Sequence, residues 1–254
     1  MKKFMKKGWK PVAVLLLLFI IWEGASNLFK IPGWLLPAPS QILQTGVEGW
    51  ASYQHHIFST VQLTIIGFLI GSSVGILIAI SLHLIPQLRE ALYPLIIISQ
   101  NIPIIVLAPL LVIWFGFGML PKIIVITLVC FFPIAVSALD GFRQTDHDLK
   151  HYMQMAGANK KQIFWKLEWP NALPYVFAGL KISATYSVMG AVISEWLGAS
   201  NGIGVYMTLA SSSFRTDRVF VSIFLVMVLS LLFFAIIILV EKSLIRWKPK
   251  GEGN

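Results

Sequence analysis

The sequence predicts an all-α integral membrane protein with six transmembrane helices, and three observations carry that reading: the composition, the length of the apolar runs, and the placement of the cations. Of the 254 residues, 57% are hydrophobic and 12% charged, with a mean hydropathy of +0.78; a soluble domain carries about 25% charged residues. A bilayer core takes roughly 20 predominantly apolar residues in a helix. Six stretches meet or approach that length, at 11–29, 57–83, 92–115, 119–139, 175–197 and 219–240. Fifteen lysines and arginines fall on one side of these spans: Lys2, Lys3, Lys6, Lys7 and Lys10; Arg89; Arg143, Lys150, Lys160, Lys161 and Lys166; Lys242, Arg246, Lys248 and Lys250. Four fall on the other, Lys30, Lys122, Arg215 and Arg218, while Lys181 lies in the fifth span near its cytoplasmic end. The excess marks the cytoplasmic side, so both termini are expected there in a bacterial plasma membrane.

The net charge of +9 points to topology rather than to nucleic acid, because the cations gather at the ends of apolar runs. The single cysteine, Cys130, allows no disulfide within the chain and no thiolate metal site, and reads as a small core hydrophobe. No shift in composition and no internal repeat divides the chain, which is expected to form one transmembrane domain over 1–254. The first span has a second reading as a signal peptide, since a lysine-rich start precedes "VAVLLLLFII" and small residues follow at Gly24, Ala25 and Ser26; against cleavage, apolar character resumes after Glu23.

Between Gly141 and Pro174 the pattern predicts a cytoplasmic loop of two short helical pieces joined at Gly157. Asp146 is placed to cap the first and Asp148 to favour its first turn. Leu149, Tyr152, Met153 and Ala156 then recur at i, i+3, i+4 and i+7, one apolar stripe on one face. Gly157 can turn the chain sharply. Asn159 caps the second piece, with Ile163, Phe164 and Leu167 on its apolar side, Lys160, Lys161 and Lys166 on its basic side, and Pro170 as its stop. Periodicity leaves the stripe two uses: packing on the chain's own spans or the lipid interface, or docking into a groove on a soluble partner.

Polar side chains inside a span face other helices or a cavity. The third span places Ser99, Gln100 and Asn101 near its centre, before Pro103 and Pro109, which can break a helix where its backbone lines a cavity; the substrate pathway and plain interhelical hydrogen bonding both fit. On the fifth, Ser183, Ser187, Gly190 and Ser194 share a face suited to close packing or, at Ser187, to the pathway. Glu195 either reaches the interface or serves a gate. Gly67, Gly71 and Gly75 read as a helix-packing face. His55 and His56 do not share a helix face and make no metal site alone. Arg215, Asp217 and Arg218 lie in an outer loop that is solvated or docks a partner. No catalytic triad or His-Glu-x-x-His is present, so no covalent chemistry is expected of this chain.

The segment "AGANKKQIFWKLEWPNALP" resembles the signature loop of binding-protein-dependent ABC importer permeases, whose pattern is Glu-Ala-Ala, three residues, Gly, nine residues, Ile, one residue, Leu-Pro. With Gly157 as the glycine, Leu167 takes the Ile position, Trp169 the Leu position and Pro170 the proline, followed by Leu173 and Pro174. His151, Tyr152 and Met153 stand in place of Glu-Ala-Ala, and the apolar stripe survives. "LLPAPSQIL", "SQNIPIIVLAPLLVIWFGFG" and "VISEWLGASNGIGVYM" are similar, in the same order, to the subfamily that imports nitrate, sulfonates, taurine and thiamine-precursor pyrimidines. The resemblance implies the type I ABC importer permease (MetI-like) architecture, with the coupling contact at Leu149, Tyr152, Met153, Ala156, Gly157, Ala158 and Pro170 and the pathway at Ser99, Gln100, Asn101, Ser187 and Glu195. It further implies a homodimer, an extracytoplasmic solute-binding protein and separate cytoplasmic ATPase subunits. This chain has no Gly-Lys pair and so no phosphate-cradling loop; no cofactor is expected on it, and ATP and magnesium belong to the partner. The runs from Ser99 and from Cys130 most resemble the pyrimidine permeases, with sulfonate, taurine, nitrate and riboflavin open as alternative substrates. An ion-gradient-driven secondary transporter is the alternative from another class, although no charge sits near a span centre.

Overall fold

The computed structural model describes the backbone of residues 2–246 and the side chains of residues 9–246. Lys2, Lys3, Lys6, Lys7, Lys248 and Lys250, which enter the charge count, have side chains outside that range. Five helices are long and apolar enough to cross a membrane: α1 (Lys2–Leu28), α3 (Trp50–Leu84), α6 (Met119–Arg143), α9 (Trp169–Glu195) with the residues leading into it, and α11 (Thr216–Leu244). The sixth expected span is a bent pair, α4 (Pro86–Ser99) and α5 (Ile104–Phe115), whose axes differ by 102°. The break lies just before Pro103, which has no N–H to continue a helix and disfavours the α conformation in the residue before it. Pro109 lies within α5 without ending it. Short helices α2 (Pro39–Glu48) and α10 (Ile203–Ser212) also lie between spans.

α6 is the centre of the bundle, clasped by α3 and α9. The face of α3 predicted to pack does so: a Cβ on Gly67 would stand 2.6 Å from Ile126 Cγ2, on Gly71 2.8 Å from Cys130 Cβ and on Gly75 2.7 Å from the Phe131 carbonyl oxygen. On the opposite side, a Cβ on Gly179 of α9 would stand 2.8 Å from the backbone of α6 at Pro133 and Ile134. These approaches bring backbones close enough for the Ser183 hydroxyl to donate to the Cys130 carbonyl at 2.7 Å. Between lipid-solvated helices such van der Waals contact is the main attraction. Gly71→Leu is therefore expected to destabilise the chain by about 3 kcal/mol, the upper range for overpacking. Its thermal midpoint in detergent, followed by size-exclusion chromatography, checks this; an unchanged midpoint would mean that α3 and α6 do not meet there.

The loop after α6 departs from the expected pair of short pieces. α7 (His147–Met155) forms as predicted, capped by Asp146, whose carboxylate accepts from the amides of Asp148 and Leu149. The second piece, α8 (Lys160–Ile163), starts with the expected cap at Asn159, in a capping box with Gln162. It does not stop at Pro170. A π-helical turn, Phe164–Glu168, carries it directly into α9, and the helix continues through Pro170 and Pro174 to Glu195. A proline inside an α-helix clashes with the carbonyl four residues earlier; the wider π turn lets the Trp169 N–H bond to the Phe164 carbonyl and relieves the crowding next to Pro170.

Candidate functional site

Three places in the bundle are candidate sites, and each holds residues that the sequence singles out. At one end, α7 closes in a Schellman turn: the Ala158 N–H donates to the Met153 carbonyl (2.9 Å), the Gly157 N–H to the Gln154 carbonyl (3.0 Å), and Gly157 adopts φ +82°. The turn ends α7, none of whose residues is buried. Leu149 is 51% and Tyr152 66% exposed, with Met155 beside them and Met153 half-buried. Leu149 and Tyr152 are thus left uncovered by the chain's own described residues, and the lipid interface and a soluble partner both stay open for them. Ala156 is exposed, while Ala158 and Pro170 are half-buried at the base of the turn.

Under α7 the chain is anchored by aromatic stacking and by a buried carboxylate. Phe142 of α6 packs against His83 of α3 (ring centroids 4.4 Å) and Phe164 of the π turn (5.8 Å), which are 6.2 Å from each other, with Trp169 6.2 Å from Phe142. Glu168 is 5% exposed; its Oε1 accepts from Lys150 Nζ at 2.6 Å, and His83 Nε2 lies 2.9 Å from its Oε2. Sequence reasoning counted Lys150 only as a topological cation and passed over Glu168, although it is the only carboxylate between Asp148 and Glu195.

The second place is a cavity of about 370 Å³ at the α4–α5 break. Ser99 and Gln100 line it from the break, Phe131, Phe132 and Pro133 from α6, and Tyr186 and Met189 from α9. The other expected pathway residues are elsewhere. Asn101 turns its amide back onto the carbonyls of Ile97 and Ile98 (3.2 and 3.4 Å). Ser187 is fully buried and donates to Ala184 within its own helix; it packs, as Ser183 and Ser194 do.

Glu195 marks the third place. It is 1% exposed, so it does not reach the interface, and it lies apart from the cavity. The carboxylate is enclosed by the turn that enters α10: it accepts from the Thr60 hydroxyl (2.7 Å) and the Gly204 N–H (2.8 Å). Thr60 in turn accepts from the Ile203 N–H (2.8 Å), and the Gly202 N–H donates to His56 Nδ1 (3.0 Å). α3, α9 and α10 are thus tied by one buried polar cluster. His56 and Thr60, one helical turn apart on α3, carry no sequence signal for it.

Residues 71–246 match the family model for the binding-protein-dependent transport system inner membrane component. The chain belongs to this family. It is an ABC importer permease, an inner-membrane protein of several spans, and the ion-gradient alternative is left without support. Among curated relatives, the formylaminopyrimidine transport permease protein ThiX of Halalkalibacterium halodurans is 34% identical over 97% of this chain and 100% of its own length. The riboflavin transport system permease protein RibX of Chloroflexus aurantiacus is 29% identical over 94% and 89%. The taurine transport system permease protein TauC of Escherichia coli is 29% identical over 87% and 83%. The crystal structure of an amino acid ABC transporter with histidines matches with a TM-score of 0.64 over 78% of this chain and 96% of that one, at 15% identity, a likeness of fold.

Proposed function

We propose that this permease works as a homodimer with two cytoplasmic ATPase subunits, which carry the ATP and magnesium, and receives its substrate from an extracytoplasmic binding protein. α7 is the coupling helix, and its end of the bundle, with both termini, faces the cytoplasm, as the lysine and arginine excess argues. The observation that carries this reading is the uncovered pair Leu149 and Tyr152 on a helix that has no buried residue and ends in a Schellman turn. An apolar stripe at that spacing fits a groove on a soluble protein. ATP-driven closure of the ATPases moves α7 and switches access to the cavity.

For the substrate we favour an uncharged heterocycle of the thiamine-precursor pyrimidine kind over a sulfonate, taurine or nitrate. All residues lining the cavity are uncharged, with aromatic faces at Phe131, Phe132 and Tyr186 and an amide at Gln100. The charge of a sulfonate or nitrate, or the paired charges of zwitterionic taurine, would sit there without a protein counter-ion, at a cost of several kcal/mol. Its volume is at the small end of ligand pockets, which run from about 300 Å³ upward.

Gentle purification of the tagged chain is expected to retain an ATP-binding subunit in stoichiometric amount. A lone oligomer would overturn the importer assembly. With the partners in proteoliposomes, uptake of radiolabelled formylaminopyrimidine is expected to be unaffected by excess taurine; competition by taurine would reverse the substrate assignment.

A further inference from the structure

We propose that Glu168 is the positioning residue through which movement of α7 reaches the spans, a role that rests on the docking reading above and names its mechanical link. Among the described residues, Lys150 makes the one side-chain hydrogen bond from α7 to another helix, and its acceptor is Glu168. Glu168 ends the π turn at the root of α9, and its second oxygen lies against His83 in the last turn of α3. His83 in turn stacks on Phe142 of α6 with rings 15° from parallel. One carboxylate therefore joins the element that meets the ATPase to all three helices of the bundle centre.

The energetics make this a tether rather than a passive contact. Drawing Lys150 away leaves the buried carboxylate with His83 as its remaining side-chain partner, a cost that favours movement of α9 together with α7. The Lys150 side chain is half-exposed, whereas Glu168 is buried against His83, whose ring stacks on Phe142. A pull on the lysine is delivered to a rigid seat. The π turn supplies that seat's geometry: it adds a residue to one helical turn at the point where Glu168 faces α3, and such insertions recur at functional positions in helices. α3 and α9 both press on α6 through glycine contacts, so a displacement at their shared end is passed along the bundle toward the cavity.

The test uses the permease with its own ATPase in nanodiscs, with bimane attached at Ser99→Cys in the cavity; native Cys130 is fully buried and does not compete for label. ATP with vanadate is expected to shift the bimane emission in the otherwise unaltered complex. Lys150→Met and Glu168→Gln are each expected to abolish the shift while the ATPase stays bound and hydrolyses ATP, and Lys150→Arg is expected to keep it. Lys150→Met is the decisive variant, because Lys150 is half-exposed and its loss spares the packing around Glu168. A full shift in Lys150→Met with the ATPase bound overturns the tether. Release of the ATPase by Lys150→Met also overturns it, since the lysine would then only build the docking surface. A complex that keeps its ATPase after Leu149→Asp sinks the docking reading, and the tether with it.

Discussion

Gly202→Ala is expected to yield no stable folded permease. Gly202 holds φ +137°, and a Cβ there would stand 2.1 Å from Glu195 Cδ. Neither body can give way. The carboxylate is pinned by Thr60 and the Gly204 N–H, and Gly202 by its own bond to His56. The expected loss is about 4 kcal/mol or more, from backbone strain together with the broken polar cluster. Glu195→Gln is the graded companion. An amide has one acceptor oxygen where the two donors meet two, so one buried donor is left facing an NH₂ group, at about 2 kcal/mol. Thermal midpoints in detergent check the order wild type, Glu195→Gln, Gly202→Ala; a Gly202→Ala protein as stable as wild type would mean that the turn into α10 does not close on Glu195.

Leu149→Asp combined with Tyr152→Ala is expected to release the ATPase while leaving the permease folded. The two effects separate because no residue of α7 is buried, so the substitutions take nothing from the core. An aromatic and an aliphatic anchor at the centre of a helix-in-groove contact contribute about 2 kcal/mol each, and together their loss weakens binding by roughly a thousandfold. Co-purification of the ATPase with the tagged variant is the measurement, with the thermal midpoint as its control. Retention of a stoichiometric ATPase would place the contact elsewhere. Gly157→Val, which forces a β-branched residue into φ +82° with open space around it, is expected to act in the same direction by misdirecting α7.

The split between Ser99 and Gln100, which line the cavity, and Asn101 and Ser187, which do not, shows where sequence reading stops. Polarity and a nearby proline mark a stretch of helix as unusual, yet rotation about the break decides which side chain meets the cavity and which bonds back to its own backbone. Ser187, for which close packing and the pathway were both open, bonds to the preceding turn and does not line this cavity, because a serine in a span can satisfy itself on its own helix. Glu168 is invisible in sequence because its partners are 18 residues earlier, at Lys150, and 85 earlier, at His83.

Legible in the chain alone are the helical membrane class, the apolar runs, the caps of α7 and α8 at Asp146 and Asn159, the apolar stripe and the glycine face of α3. Each of these follows from local rules: the thickness of hydrocarbon, the 3.6-residue period, the hydrogen bonds a helix end lacks. That α8 runs through Pro170 into α9, that α4 and α5 meet at 102°, and that Glu195 is enclosed while Glu168 is seated between α3 and α7 comes from packing. Those outcomes depend on which groups from distant parts of the chain arrive at one place. Burial leaves a carboxylate no water to fall back on, so its position is set by whatever donors the packing brings to it.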